Sequence, residues 1–219
     1  NDMVGFIRTF LGGALKTNDN TEFAVVTGCL RISKESIFTG LNNFSTFTIT
    51  DDLFSQYFGF TDAEVKEMLD YYGVSNYYST AKDWYDGYSF GKTEIYCPWD
   101  VLNYCSRLRF ESDKAPQAFW INSSGNDIIR KFIEMANSTT KSEIESLIAG
   151  DTVVKEIHPE LTYSELYTSI ENIWSVLYMT GYITKRGIPE RKQFELAIPN
   201  LEIREIFEEQ IYEWFKDFS

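Results

Sequence analysis

The stretch Phe23-Ala-Val-Val-Thr-Gly-Cys-Leu-Arg-Ile-Ser-Lys-Glu-Ser-Ile-Phe-Thr-Gly-Leu-Asn-Asn43 decides which fold this sequence predicts. It opens with a short apolar, β-branched run, which turns at Thr27-Gly28 and is followed by a cluster of polar residues. In α/β proteins such a run is typical of a buried strand, and the residues after its carboxyl end face a ligand crevice. The candidate site residues in this stretch are Thr27, Arg31, Asn42 and Asn43.

The sequence on either side of this stretch predicts the rest of a partial α/β core over residues 1–50. Asp2 to Lys16 carries apolar residues at helical spacing and predicts an amphipathic helix that covers a sheet. Phe47 to Thr50 predicts a second short strand after a long polar connection. Helix, strand, connection and strand in succession indicate α/β architecture.

Residues 51–159 predict a helical region with an aromatic, hairpin-like excursion. Its helix and turn signals are clear because capping residues, glycines and prolines mark element ends. The signals are a Thr61/Glu64 capping box with a stop at Gly73, a turn at Asp86-Gly87, a helix start at Pro98, a short helix over Lys141 to Gly150, and a connection over Asp151 to Pro159.

Residues 160–219 predict a winged-helix-like module, because a helix, an antiparallel hairpin and a second helix follow one another. The predicted elements are a helix from a Thr162/Glu165 capping box to Gly181, strands over Tyr182 to Lys185 and Gln193 to Ile198 around a Gly187/Pro189 turn, and a helix from Pro199-Asn200. The last helix carries many glutamates, which is the wrong charge for tracking DNA phosphates.

Composition bounds the partners and the compartment. The 219 residues are 43% hydrophobic, which is enough for a buried core, and the net charge of −13 argues against nucleic acid and anionic membranes as partners. No long apolar span or signal peptide is visible. Three cysteines cannot all pair with one another and fit a reducing cytoplasm. A single histidine and the absence of zinc spacing argue against a structural zinc site, and no metal-binding residues are assigned, although counting leaves a carboxylate-only site open.

Gly91-Lys92-Thr93 has the ending of a phosphate-binding loop but not the rest of the motif. The motif requires a glycine five residues before the Gly-Lys pair, where this sequence has Asp86. The residues around it are aromatic and turn-like, and Pro98 follows too soon for a helix to begin cleanly. A solvated turn is the better interpretation.

Thr27 and Arg31 have two interpretations. A polar residue at a strand end can orient a water or sense a γ-phosphate, and an arginine beyond it can stabilise charge on a transferring phosphoryl group. Alternatively, Thr27 satisfies a backbone group and Arg31 pairs with a nearby carboxylate, while Asn42 and Asn43 cap or turn the chain. The residues alone favour the second interpretation.

Six blocks spread over nearly the whole chain resemble the bacterial AAA-ATPase-like family of the P-loop NTPase superfamily. They are Ala24-Val-Val-Thr-Gly-Cys-Leu-Arg-Ile-Ser-Lys-Glu-Ser-Ile-Phe-Thr-Gly-Leu-Asn-Asn43, Trp84-Tyr-Asp-Gly-Tyr88, Tyr96-Cys-Pro-Trp99, Trp120-Ile-Asn-Ser-Ser-Gly-Asn126, Gly181-Tyr-Ile-Thr184 and Ile198-Pro-Asn200. Members of this family are often fused to a C-terminal nuclease-like domain of the PD-(D/E)xK type.

The resemblance implies a mainly helical α/β fold: the C-terminal part of a P-loop NTPase core, a helical lid and a winged-helix-like module. In the family a P-loop and a Walker B strand precede the first helix, and this sequence has neither. Thr27 falls at the position of a sensor residue, with Arg31 in the adjoining loop. The intact member is expected to use ATP and Mg²⁺, whereas this chain alone is not expected to hydrolyse ATP.

Two function classes and a third alternative follow. In the first, the chain supplies the sensor, lid and winged-helix parts of an ATP-dependent switch, with the missing N-terminal ATPase half and a C-terminal nuclease-like domain as partners. In the second, it is a non-enzymatic protein interaction module. An exposed apolar patch left by the missing half of the sheet fits both classes, and self-association through it is left open. DNA binding by the winged-helix module is the third.

Overall fold

The computed structural model describes residues 2–16, 18–28, 45–111, 113–120, 127–161, 165–166 and 168–217. Within these residues the chain is mixed α/β, mainly helical, with two small antiparallel sheets. The helices are α1 (Asp2–Leu15), α2 (Asp62–Tyr71), α3 (Tyr78–Tyr85), α4 (Pro98–Phe110), α5 (Asp127–Met135), α6 (Ser138–Ala149), α7 (Ile170–Met179) and α8 (Leu201–Asp217). The strands are β1 (Tyr88–Phe90), β2 (Thr93–Ile95), β3 (Val153–Glu156), β4 (Thr184–Glu190) and β5 (Gln193–Ala197).

Local sequence signals position the helices of the middle region. The predicted capping box at α2 is confirmed: the Glu64 N–H donates to the Thr61 hydroxyl, and the Thr61 N–H donates to the Glu64 carboxylate at 2.8 Å. Gly73, with φ of 68°, follows the end of this helix. Pro98 is the first residue of α4, where its missing N–H costs nothing.

The aromatic hairpin is formed by β1 and β2, with Gly91 and Lys92 as its two-residue turn. The turn interpretation of Gly91-Lys92-Thr93 is confirmed, and Asp86-Gly87 connects α3 to β1. Lys92 is exposed, whereas Gly91 is buried against the Asp51 and Asp52 backbone. A Cβ at Gly91 would lie 2.5 Å from the Asp51 carbonyl oxygen, so this turn requires glycine.

The C-terminal sheet has the strand order β3-β5-β4, all antiparallel. The predicted hairpin is confirmed, but its turn lies at Arg191-Lys192. The predicted turn residues Gly187 and Pro189 instead lie within β4, where the pairing with β5 shifts register between Arg186 and Glu190. Helix α7 begins after its cap Ser169 and not at the predicted Thr162, which lies outside the described residues. Strand β3 was not predicted, because the connection that contains it is short and half polar.

Buried residues form two clusters. The larger one joins helices α5 to α8 and the C-terminal sheet to Tyr88 and Ile95 of the aromatic hairpin. The smaller one packs α2, α3 and α4 together around tyrosine rings. No described residue of 2–28 belongs to either cluster. The division of the chain at residues 50/51 and 159/160 stays a prediction.

The two strands predicted in the N-terminal region are not formed. Residues 23–28 have no regular secondary structure and are exposed, and residues 47–50 lead into a turn. A buried strand needs neighbouring strands to pair its backbone groups, and the apolar pattern alone does not supply them. Helix α1 is confirmed, but its phenylalanines are exposed and it does not cover a sheet in the described part of the chain.

Candidate functional site

The predicted sensor residues are not brought together within the described residues. Thr27 lies in the exposed segment 23–28, at the end of no strand. Arg31, Asn42 and Asn43 lie outside the described residues, so their roles stay predictions.

Residues 2–28 instead present apolar side chains to solvent. We call this set the N-terminal apolar surface, and its side chains are between 48% and 82% exposed. Phe6 and Phe10 stack one helical turn apart, with ring centroids 6.3 Å apart. Exposed apolar side chains that lie together, as Phe6 and Phe10 do, are characteristic of docking surfaces. The surface consists of Met3, Phe6, Phe10, Phe23, Val25 and Val26.

The aromatic hairpin is fastened to the C-terminal sheet by polar contacts. The Ser89 N–H donates to the Thr184 hydroxyl at 2.9 Å, and the buried Lys185 ammonium donates to the Gly91 carbonyl. Because these groups are buried or half-buried, leaving one without a partner would cost more than the bond itself contributes. These two hydrogen bonds therefore connect the hairpin directly to the C-terminal sheet.

Helices α4 and α8 each place a buried carboxyl group in the core. Asp100 lies in the first turn of α4 and Glu202 in the first turn of α8, and both are 0% exposed. The Trp120 N–H donates to Glu202 Oε1 at 2.9 Å. Burial, with the charge of Asp100 adding to it, raises the pKa of Glu202 to about 9. Burial also raises the pKa of Asp100.

We infer that these two carboxyl groups share one proton at neutral pH, because the pKa of Glu202 is raised to about 9. Two adjacent buried carboxylates cannot both be ionised at acceptable cost, so Glu202 keeps its proton and Asp100 accepts from it. Hydrogen bonding to the Cys97 thiol and to Glu202 works against the rise in the pKa of Asp100, so Asp100 is the partner that ionises. We call Asp100 and Glu202 the acid pair.

Nothing around the acid pair is set up for nucleophilic or metal chemistry. Burial and the Asp100 charge raise the pKa of the Cys97 thiol, so it stays protonated and is a poor nucleophile. Among the described residues no group of three or more His, Cys, Asp or Glu side chains is placed to hold a metal ion.

The winged-helix-like elements do not offer a DNA-reading helix. Most residues of α7 are buried in the larger cluster, including Trp174. Helix α8 exposes Glu208, Glu209 and Glu213, which would repel phosphates. Within the described ranges, no helix is long and apolar enough to cross a bilayer.

Sequence reasoning missed the acid pair. Asp100 and Glu202 each follow a proline at a helix start, where an acidic residue is ordinarily a solvated partner of the helix dipole. No local pattern shows that two helix N-termini meet in the core. The apolar character of residues 23–26 is visible in the sequence, where it predicts a buried strand, but their exposure is not visible there.

The comparisons with known proteins leave the family open. The chain is 22% identical over 200 residues to a protein of Azotobacter chroococcum mcd 1 that is described as "Uncharacterized protein in vnfD 5'region". That alignment covers 89% of this chain and 35% of the relative, so the chain spans about a third of the relative's length. No family model and no solved structure matches the chain.

Proposed function

We propose that this chain is the lid and winged-helix part of a cytoplasmic, ATP-dependent switch of the AAA-ATPase-like kind, and that it does not turn over nucleotide alone. The nucleotide and Mg²⁺ would be held by a P-loop segment outside this sequence, and a nuclease-like domain would be a further partner. The observation that carries the proposal is the N-terminal apolar surface, which leaves residues 2–28 without a packed core of their own.

The C-terminal topology supports the winged-helix part of the proposal. Helix α6, strand β3, helix α7 and the β4–β5 hairpin follow one another, and β5, the last strand, lies between the other two. This is the strand order of a winged-helix module. Helix α8 closes the layout, and its buried face, with Ile203 and Phe207, belongs to the same core.

The apolar run at residues 23–26 supports docking to a sheet. Its side chains are apolar and β-branched, as in the central strand of an α/β sheet, yet they are exposed here. Packing them against neighbouring strands would stabilise the docked state by roughly 25 cal/mol for each Å² of apolar surface removed from water. An ATPase core that supplies those strands would place Thr27 at a strand end, where a sensor residue belongs.

A protein interaction module that uses no nucleotide is the second candidate. The observation that favours it is the position of Thr27, which lies in an exposed apolar segment and lines no polar crevice within the described residues. In this case the same surface would dock an unrelated partner or a second copy of the chain.

A photo-crosslinking experiment separates the two candidates. The photoreactive residue p-benzoylphenylalanine replaces Phe23 in the N-terminal apolar surface, and in a matched control it replaces Tyr71, which is as exposed but lies at the end of α2. Both variants are made in the natural cells, irradiated with and without Mg-ATP, and the crosslinked peptides are sequenced.

The ATP-dependent switch predicts a crosslink from position 23 to a polypeptide segment that carries a P-loop, in the same chain or another. Its yield should change with Mg-ATP, and the Tyr71 variant should not form it. A reproducible crosslink to a segment without any nucleotide-binding motif, unaffected by Mg-ATP, would contradict the switch and support the second candidate. If position 23 forms no crosslink, both candidates are contradicted, because each requires a partner on the N-terminal apolar surface.

A further inference from the structure

We infer that a pocket between the aromatic hairpin and α7 binds a single uncharged aromatic ring. The pocket lies at the junction of β1, β2, the start of α4 and the end of α7, and it encloses about 160 Å³. It is separate from the N-terminal apolar surface, and the inference does not depend on the proposed function. Its lining includes Phe58, Tyr88, Phe90, Tyr96, Trp120 and Tyr178.

The size of the pocket indicates one ring. Apolar cavities of roughly 150 Å³ remain dry and bind benzene, whereas they are too small for a fused nucleotide base with its sugar. Rings in the wall can meet a bound ring edge to face, which is the preferred geometry of aromatic pairs. Phe58 and Phe90 already meet in this way, with centroids 6.5 Å apart and planes at 61°.

The polar groups of the wall explain why the ligand is uncharged. The Thr184 hydroxyl accepts from the Ser89 N–H, and the Thr180 hydroxyl donates to the Val176 carbonyl, and neither group carries a charge. Burial raises the pKa of the Cys97 thiol, which also lines the pocket and stays neutral. An ionised ligand would therefore lose its hydration without gaining a charged partner.

Two buried tyrosines contribute rings to the wall. The rings of Tyr88 and Tyr178 line the pocket, whereas the hydroxyl of each is buried away from it. A bound ring would therefore meet the rings of these tyrosines and not their hydroxyls. Phenol, a single ring that is uncharged at neutral pH, is a suitable probe.

The pocket is open to a ligand on one side. Phe58 is about half exposed and forms part of the wall, next to the exposed rings of Phe54 and Tyr57. Phe58 is therefore the part of the wall that faces solvent.

The ring can come from a small molecule or from an aromatic side chain of a protein. The test titrates phenol, N-acetyl-tyrosinamide and benzoate into the chain at neutral pH, and follows the ¹³C-labelled isoleucine methyl groups by NMR. Ile95 and Ile183 line the pocket, and Ile206 is a reference, because it is buried in the same core outside the lining.

Phenol or N-acetyl-tyrosinamide should saturably shift the methyl signals of Ile95 and Ile183, with Ile206 unchanged. Binding of phenol alone would assign a small-molecule ligand, and binding of the amide at least as tight as phenol would assign a protein side chain. Benzoate should not bind. Absence of saturable shifts with both neutral probes, or equal binding of benzoate, would overturn the inference.

Two variants tie the shifts to this pocket. Ile49 lines the pocket, so Ile49→Trp should fill it and weaken binding by about tenfold or more. Ile188→Trp adds the same ring at an exposed position in β4 and should leave binding unchanged. Phe58→Ala removes part of the wall and should also weaken binding, whereas Tyr57→Ala, beside it but outside the lining, should not. Unchanged binding in both Ile49→Trp and Phe58→Ala would overturn the assignment.

Discussion

Helices α1 and α8 differ sharply in what their apolar faces contact, although similar periodic patterns predict both. In α8 the side chains of Ile203, Ile206 and Phe207 are 0% exposed in the larger core. In α1 the side chains of Phe6 and Phe10 are exposed. The comparison teaches that periodicity predicts a helix and its apolar face, whereas the partner of that face is decided by the rest of the fold.

The same contrast explains why α8 is anchored so firmly. Asn200 accepts from the Ile203 N–H as its N-cap and donates to the Asp86 carbonyl, and Glu202 accepts from the Trp120 N–H. Apolar burial and polar anchoring act at the same helix end. Short isolated helices are only marginally stable in water, so α1 depends on packing that the described residues do not supply.

The largest expected effect comes from truncating a buried side chain of α8, compared with the same truncation on the exposed face of α1. Phe207→Ala should lower the free energy of unfolding by about 3–5 kcal/mol, because it removes a fully buried ring. Phe10→Ala, on the exposed face of α1, should change it by less than about 0.5 kcal/mol. Urea unfolding followed by circular dichroism measures both. Similar losses in the two variants would show that α1 is packed as α8 is.

The acid pair gives the second effect, which depends on pH. The pKa of Glu202 is about 9 in the folded chain and 4.5 ordinarily, so the folded chain binds the extra proton between these values. Stability should therefore fall as the pH rises from about 4.5 to about 9. Glu202→Gln keeps an acceptor for the Trp120 N–H and a donor for Asp100, and it should remove much of this fall, on the order of 2 kcal/mol at pH 8.

Glu209→Gln is the matched control, since Glu209 is exposed on the same helix. Urea unfolding at pH 5, 6.5 and 8 should show a flatter dependence for Glu202→Gln and an unchanged one for the control. A Glu202→Gln variant that loses stability at all three values would show that the acid pair is not held by a shared proton.

The third effect tests whether the aromatic hairpin belongs with the C-terminal sheet. Thr184→Val keeps the shape but removes the hydroxyl that accepts from the Ser89 N–H, and should cost about 1–2 kcal/mol because that N–H is left without a partner. Thr152→Val, at an exposed threonine that donates to Glu195, should cost less than about 0.5 kcal/mol. Equal costs in urea unfolding would mean that the hairpin contact contributes little.

The smallest effect concerns α1 itself. Gly12 and Gly13 have open space where a Cβ would lie, so Gly12→Ala and Gly13→Ala should each favour the helix locally by about 0.5–1 kcal/mol. The urea midpoint of the main transition should not move, while the helical circular dichroism signal of the folded chain should rise slightly. A higher midpoint in these variants would couple α1 to the main core.

Elements with strong local signals could be predicted from the sequence. Three such predictions are confirmed: the Thr61/Glu64 capping box, Pro98 as the first residue of α4, and the C-terminal hairpin. Helix capping, the fixed φ of proline and the alternation of apolar and polar residues in a strand each act over only a few residues. The predicted turn of the C-terminal hairpin was wrong, because a register shift places it at Arg191-Lys192, whereas the predicted turn at Gly91-Lys92 is confirmed.

Features that depend on distant partners could not be predicted. The acid pair requires Asp100 and Glu202, which are far apart in sequence, to meet at two helix ends. The run at residues 23–26 has the composition of a buried strand, but a strand forms only where neighbours pair with it. The sensor roles of Thr27 and Arg31 depend on such neighbours and stay predictions.

Native-state hydrogen exchange of the isolated chain tests most directly the claim that the N-terminal apolar surface lacks a packing partner here. The account predicts that backbone amides of α8 exchange only by global unfolding, and that those of α1 exchange through local opening at a free energy at least about 3 kcal/mol lower. Equal protection of the two helices would contradict the account, because α1 would then be part of the cooperative core.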